Sequence, residues 1–170
     1  MQQLLSLILQ IPPIDPSTSL RTTFLLRLTG DVMNSIPGYP PDSNTLPNLL
    51  DFLDDLDQAW LAVLQSQIWN PLLGEAVDLV IPAQELSSSK IHSTPMSQTE
   101  RTRLRSLLVT GTSQLEEWLA SIGTGSEELH EAFSRMGLQQ AFDDLFSRTM
   151  AELGGLSGPL NDLSGMEGTC

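Results

Sequence analysis

Residues 46–69, LPNLLDFLDDLDQAWLAVLQSQIW, carry the clearest helical period in this chain. At about 3.6 residues per turn, the apolar positions fall within one stripe about 100° wide. The stripe holds Leu49, Leu53, Leu56, Trp60, Val63, Leu64 and Gln67, and the other side holds Asp51, Asp54 and Asp55. Such a helix must cover its leucine and tryptophan face with other elements. The pattern therefore predicts a central helix over 46–69, around which the rest of the chain packs.

Two segments before the central helix also have helical patterns. Residues 4–11 are apolar on nearly every side and end at Pro12, because the residue before a proline is disfavoured in the α conformation. Residues 16–35 follow Asp15, whose carboxylate can accept hydrogen bonds from the first backbone N–H groups. This second helix is expected to present one apolar side, formed by Phe24, Leu25, Leu28, Val32 and Ile36. Both helices are predicted to pack alongside the centre.

The second half of the chain begins with a clear helix start. Ser97 and Glu100 match the S-x-x-E capping box, so a helix is predicted from here to about residue 122. Its apolar face includes Gly111, which indicates a close helix crossing. Residues 127–153 have apolar faces on both sides of Gly137, which fits two helices or one bent helix. The central helix is then expected to pack on the 98–122 helix and on 138–153.

Two segments lack a clear helical period. Residues 83–96 have little to bury, which predicts a flexible linker between the halves 1–82 and 97–155. Residues 74–82 fit either a short strand or a short helix, and the helix is favoured.

The overall composition supports helices, since leucine dominates the apolar residues and β-branched and aromatic residues would dominate in sheets. The sequence predicts an all-α fold: a single helical bundle of about five to six helices over 1–155. Residues 156–170 are rich in glycine and serine and are predicted to form a disordered tail.

The net charge of the chain limits the kinds of partner that it is expected to bind. The chain carries 21 acidic and 8 basic residues, a formal net charge of −13, which nucleic-acid phosphates and anionic lipids repel. Direct nucleic-acid binding is therefore not expected. A protein partner is expected instead, and a basic client protein is one option.

Cys170 is the single cysteine, so no disulfide framework forms within the chain. We find no secretory leader and no apolar run of roughly 18 residues, so we expect no transmembrane segment and a cytoplasmic and/or nuclear location.

The titratable residues form no catalytic or metal-binding pattern. His92 and His130 are the two histidines, and neither has a second histidine at metal-ligand spacing. Adjacent acids such as Asp54 and Asp55 point about 100° apart on a helix, so such a pair does not share a site. Glycine-rich phosphate loops and nucleophile motifs are missing from the sequence. We therefore expect no catalytic residue, no metal and no cofactor.

Arg101, Arg103 and Arg105 form the one local concentration of positive charge. They could pair with the acidic face of the central helix. They could instead form a docking patch for an acidic partner, or for Thr94 once phosphorylated, because Thr94 precedes a proline as in proline-directed phosphorylation sites.

Three apolar residues are further candidates for partner binding. Trp69 ends the predicted central helix beside a proline, where it could pack at the rim of the core or serve as a binding anchor. Leu4 and Ile8 lie on the first helix, whose apolar surface on every side suits either a core helix or one that docks on a partner or a membrane.

These patterns favour a non-catalytic adaptor or scaffold subunit of a larger intracellular complex. Two alternatives remain open: an acidic assembly chaperone for a basic client protein, and an enzyme whose site has no recognisable local motif.

Overall fold

The computed structural model of the chain describes residues 2–40, 42, 44–70, 75–79, 93–120 and 138–155. In chain order the elements are α1 (Gln2–Leu9), α2 (Ser17–Ser35), a 3₁₀ turn (Ile36–Gly38), α3 (Leu46–Leu64), β1 (Ile68–Asn70), β2 (Glu75–Val77), α4 (Gln98–Ala120), α5 (Leu138–Asp143) and α6 (Ser147–Gly155). The described part of the chain is therefore mostly helical, as the all-α prediction requires, with a small pair of strands in addition.

Helix α3 lies at the centre of the core, as predicted. Leu53, Leu56 and Trp60 of its apolar stripe are fully buried. Helices α1, α2 and α6 all contact α3, so burial extends beyond the predicted stripe to Phe52 and Ala59. A helix surrounded on several sides can bury more than one stripe of side chains.

A buried hydrogen bond ties α3 to α2. The Trp60 Nε1 group donates to Thr29 Oγ1 at 3.0 Å, and the Thr29 hydroxyl donates to the Leu25 carbonyl oxygen at 2.8 Å. Both polar groups of this contact are therefore satisfied away from water, which a buried indole requires.

Helix α4 packs mainly on α2 and has few contacts, if any, with α3, so the expected pairing of 98–122 with the central helix is wrong. The predicted close crossing at Gly111 is confirmed. A Cβ atom on Gly111 would lie 2.9 Å from Met33 Cγ, and one on Gly30 would lie 3.4 Å from Leu107 Cδ1. Glycines on both helices therefore leave room for side chains of the facing helix, Met33 against Gly111 and Leu107 against Gly30.

The central helix ends five residues earlier than predicted, at Leu64. Ser66 adopts φ of 55°, and two backbone bonds close the end: Ser66 N to Val63 O at 3.1 Å and Gln67 N to Ala62 O at 2.8 Å. This is the Schellman arrangement, in which the residue after the helix cap takes the left-handed conformation. Serine takes the place of the usual glycine here, so no residue near Leu64 marks the end of the helix.

The chain continues from this turn as β1, which pairs with β2 in antiparallel register. Ile68 faces Val77, Trp69 faces Ala76 and Asn70 faces Glu75. The helix favoured for 74–82 is therefore wrong at residues 75–77, where the alternative strand is present.

The capping box at the start of α4 is confirmed. The Ser97 backbone N–H donates to Glu100 Oε2 at 2.9 Å, and the Glu100 N–H donates to Ser97 Oγ at 3.3 Å. Both groups are orphan donors of a helix start, so the local sequence was sufficient to predict this element.

Several predicted segments fall partly or wholly outside the described residues. For the expected linker 83–96, residues 93–96 are described; they have no regular structure, and Met96 is buried in the core. The predicted bend at Gly137 and the tail 156–170 lie outside the described ranges.

Asp57 of α3 holds the start of α6. Its carboxylate accepts a hydrogen bond from the Thr149 backbone N–H at 3.0 Å, another from the Thr149 hydroxyl, and one from Arg148 Nε at 2.9 Å. Arg148 also contacts Asp54, one turn earlier on α3, and these two carboxylates raise its pKa. Asp57 therefore does not face solvent like the other acidic residues of the central helix. It caps a helix that is distant in the sequence.

None of the helices among the described residues is both long enough and apolar enough to span a bilayer.

Candidate interaction surface

A groove of about 320 Å³ lies between α1 and α2. It is lined by Leu4, Leu7, Ile8, Ile11, Phe24, Arg27, Leu28 and Asp31. Ile8 and Leu28 are buried at its floor. Three large apolar side chains at its edges are open to solvent, with exposed fractions of 49% for Leu4, 61% for Leu7 and 46% for Phe24. We call this the α1–α2 groove.

The sequence of α1 explains one edge of the groove. This helix packs on α2 and α3 through Leu5, Ile8 and Leu9. Because α1 is apolar on nearly every side, the same contact cannot also cover Leu4 and Leu7. The apolar surface predicted from the sequence is thus divided between the core and the groove.

The opposite edge is formed by α2. Its inner side chains Leu25, Leu28 and Val32 are buried, whereas Leu20 and Phe24 project outward one turn apart. The prediction that Phe24 belongs to the core face is wrong, because the α2 core face is centred on Leu25 and Val32 and leaves Phe24 at its margin.

An ion pair forms the polar end of the groove. Arg27 Nε donates to Asp31 Oδ2 at 2.8 Å, and both side chains are mostly exposed. An exposed pair four residues apart on a helix contributes only about 0.3–0.5 kcal/mol. Either charge can therefore turn toward a bound molecule at little cost.

The structure brings two of the predicted partner-binding residues together. Leu4 lies at the edge of the groove and Ile8 at its floor. Trp69 lies elsewhere, in β1, partly buried and packed against the core. Its assignment to partner binding stays a prediction, as does that of Leu4 and Ile8.

The three arginines of α4 do not form one patch. Arg101 is buried, and its Nη2 group donates to the Glu152 carbonyl oxygen on α6 at 3.2 Å. Arg103 and Arg105 are exposed. The expected pairing of this cluster with the acidic face of α3 is wrong for Arg101, and Arg148 takes that place.

Sequence reasoning missed Leu7 and Phe24 as surface residues. The available signal was the excess of apolar positions: α1 and α2 each carry more large apolar side chains than one packing face can cover. Across the described segments, no cluster of three or more histidine, cysteine, aspartate or glutamate side chains could hold a metal ion.

Comparisons with protein-family models, with curated proteins and with solved structures give no match for this chain. The α1–α2 groove is therefore the basis for a functional proposal.

Proposed function

We propose that this chain is a non-catalytic adaptor or scaffold subunit of a larger intracellular complex, which binds an amphipathic helix of a partner protein in the α1–α2 groove. The observation that carries the proposal is the set of half-exposed side chains Leu4, Leu7 and Phe24 around a buried apolar floor. Fully burying a leucine or phenylalanine contributes about 1.5–3 kcal/mol, so covering these three half-exposed groups would contribute roughly 2–4 kcal/mol to binding.

The shape and charge of the groove define the occupant. A helix that lies between two helices inserts apolar anchors spaced three or four residues apart. The net charge of −13 favours approach by a basic segment, because opposite charges steer encounter. We therefore expect a partner helix with one apolar face flanked by lysine or arginine.

Affinity purification of the full chain followed by mass spectrometry tests the proposal. The test variant is Leu7→Glu/Phe24→Glu, which places two charges in the groove at exposed positions. The control is Val109→Glu on α4, where an apolar side chain of similar exposure, 49%, lies outside the groove lining. We expect the test variant to lose a partner that the wild type and the control retain in equal amounts.

Two outcomes would refute the proposal. A chain recovered alone and monomeric has no partner of this kind. A partner retained by the groove variant binds another surface. Circular dichroism on both variants establishes that each remains folded.

The alternative of an acidic chaperone is supported by exposed carboxylates on two helices, including Asp51, Glu116 and Glu117. It predicts a complex that dissociates as the salt concentration is raised. At 1 M salt the Debye length, over which charges attract each other, falls to about 3 Å. A complex held in the groove by apolar contact survives that treatment, so a salt series on the purified complex separates the two functions.

A further inference from the structure

The start of α2 contains buried polar atoms that have no hydrogen-bond partner among the residues the structure describes. They are Thr18 Oγ1, Ser93 Oγ and two guanidinium nitrogens of Arg21, Nε and Nη2. The Arg21 residue is 1% exposed, so bulk solvent does not reach these atoms. Buried polar groups are nearly always paired in native proteins, which makes such a cluster a departure that requires a cause.

The unpaired atoms of Arg21 form one complete edge of its guanidinium group. Arg21 Nη1 donates to the Gln67 carbonyl oxygen at 2.7 Å. The Nε–H and one Nη2–H bond run parallel on the other side, and this is the edge on which arginine binds two oxygens of a carboxylate or phosphate at once. The donors suited to bidentate binding of an oxyanion are therefore both without a partner.

Among the residues that the structure describes, Arg21 forms no ion pair. Burial lowers its pKa to about 10, so the group remains cationic at neutral pH. The ion pairs of the described residues involve Arg27 and Arg148. A buried cation without a counterion is costly, and this cost is recovered when an anion binds.

The helix start adds partial positive charge beside the cluster, and the Asp15 carboxylate adds a negative charge at the same end. Thr18 and Arg21 are three residues apart on one side of α2, and helical side chains lean toward the helix start. That start has no side-chain cap, and the helix dipole gives it partial positive charge. Ser93 precedes Thr94, whose hydroxyl contacts the Asp15 carboxylate just before α2, so it lies at the same end.

We propose that Thr18, Arg21 and Ser93 form an oxyanion site, in which Arg21 Nε and Nη2 donate to two oxygens of a carboxylate or phosphate group and the two hydroxyls complete the coordination. We call it the Arg21 site. It is independent of the α1–α2 groove, so either proposal can fail without the other.

Nuclear magnetic resonance of the arginine Nε–H groups tests the Arg21 site directly. The full chain is titrated with inorganic phosphate, with acetate and with chloride at matched ionic strength. We expect the Arg21 signal to shift to saturation with phosphate, acetate or both, and the ion that acts identifies the ligand as phosphoryl or carboxylate. Arg27, exposed on the same helix, is the internal control. A response that chloride reproduces, or no response to any ion, overturns the proposal.

Two variants make the test independent of folding. Arg21→Lys keeps the charge but loses the parallel donors, and we expect it to weaken binding by about tenfold or more. Thr18→Val removes a hydroxyl without a partner, so folding is retained, and we expect anion affinity to fall about threefold or more. If Arg21→Lys does not fold, Thr18→Val decides: anion affinity equal to wild type overturns the site.

Discussion

Replacing Asp57 with alanine removes the carboxylate that fixes the start of α6 to α3. Asp57 is 2% exposed and accepts hydrogen bonds from the Thr149 backbone N–H, the Thr149 hydroxyl and Arg148 Nε. Thr149 is itself fully buried, so its backbone N–H would lose its partner without gaining water, whereas its hydroxyl keeps the Asp57 backbone carbonyl oxygen as an acceptor at 3.2 Å. We expect the variant to unfold at a clearly lower urea concentration.

The magnitude follows from the separate contacts. Each hydrogen bond from Thr149 to the buried carboxylate contributes about 1.5–3 kcal/mol. The bond from Arg148 counts for less than about 1 kcal/mol, because the side chain is 46% exposed. Because the Thr149 hydroxyl keeps the Asp57 backbone carbonyl oxygen as an acceptor, we expect Asp57→Ala to lower the free energy of unfolding by about 2–4 kcal/mol. Asp57→Asn retains acceptors for Thr149 and should cost about 1–2 kcal/mol.

Urea unfolding followed by circular dichroism measures these differences. The matched control is Asp54→Asn, one turn away on α3, which contacts the same arginine but has a side chain that is 56% exposed. We expect that control to change the free energy of unfolding by less than about 0.5 kcal/mol. Hydrogen exchange should show that Asp57→Ala loosens the amides of α6 first.

A small effect would refute this account of the α3–α6 contact. If Asp57→Ala costs less than about 1 kcal/mol, the hydrogen bonds of Thr149 do not hold α6 in place. An equal loss from Asp54→Asn and Asp57→Asn would assign the stabilisation to the exposed ion pairs instead.

Three further substitutions test other contacts by the same unfolding measurement. Gly111→Ala should lower stability by about 1–2 kcal/mol, because overpacking against Met33 outweighs the gain in helix propensity; increased stability would contradict the close crossing. Thr29→Val should cost about 1–3 kcal/mol by leaving the buried Trp60 N–H without an acceptor, and unchanged stability together with unchanged tryptophan fluorescence would contradict that bond. Ser97→Ala should cost about 1 kcal/mol through loss of the helix cap, and a change below about 0.3 kcal/mol would show that the capping box is not formed.

The features that were predicted correctly are those that depend on residues close together in the sequence. The start of α4 is encoded by Ser97 and Glu100, which satisfy each other's backbone donors. The close crossing at Gly111 could be predicted because a glycine within an apolar helix face has few other uses. The exposure of part of α1 could also be anticipated, because this helix has more apolar surface than one contact can bury; the role of Leu4 and Ile8 in partner binding stays a prediction.

The features that sequence reasoning missed depend on residues far apart in the chain. The role of Asp57 requires Thr149 as its partner, and nothing near either residue indicates the other. The end of α3 was missed because Ser66 takes a conformation usually reserved for glycine. No sequence pattern singles out Arg21, and its unpaired edge is evident only from its burial and its hydrogen bond to the Gln67 carbonyl oxygen.

The contact between Asp57 and Thr149 cannot form until the ribosome has synthesised both residues, so α3 is made well before its contact with α6 can form. At about 5–20 residues per second, the 92 residues that separate them take roughly 5–18 s to translate. Throughout that interval α3 has emerged without the helix that covers part of its apolar surface. The interval is long compared with helix formation and hydrophobic collapse, which take microseconds. The nascent chain therefore passes through a period in which its central helix is available to chaperones, or to another copy of itself.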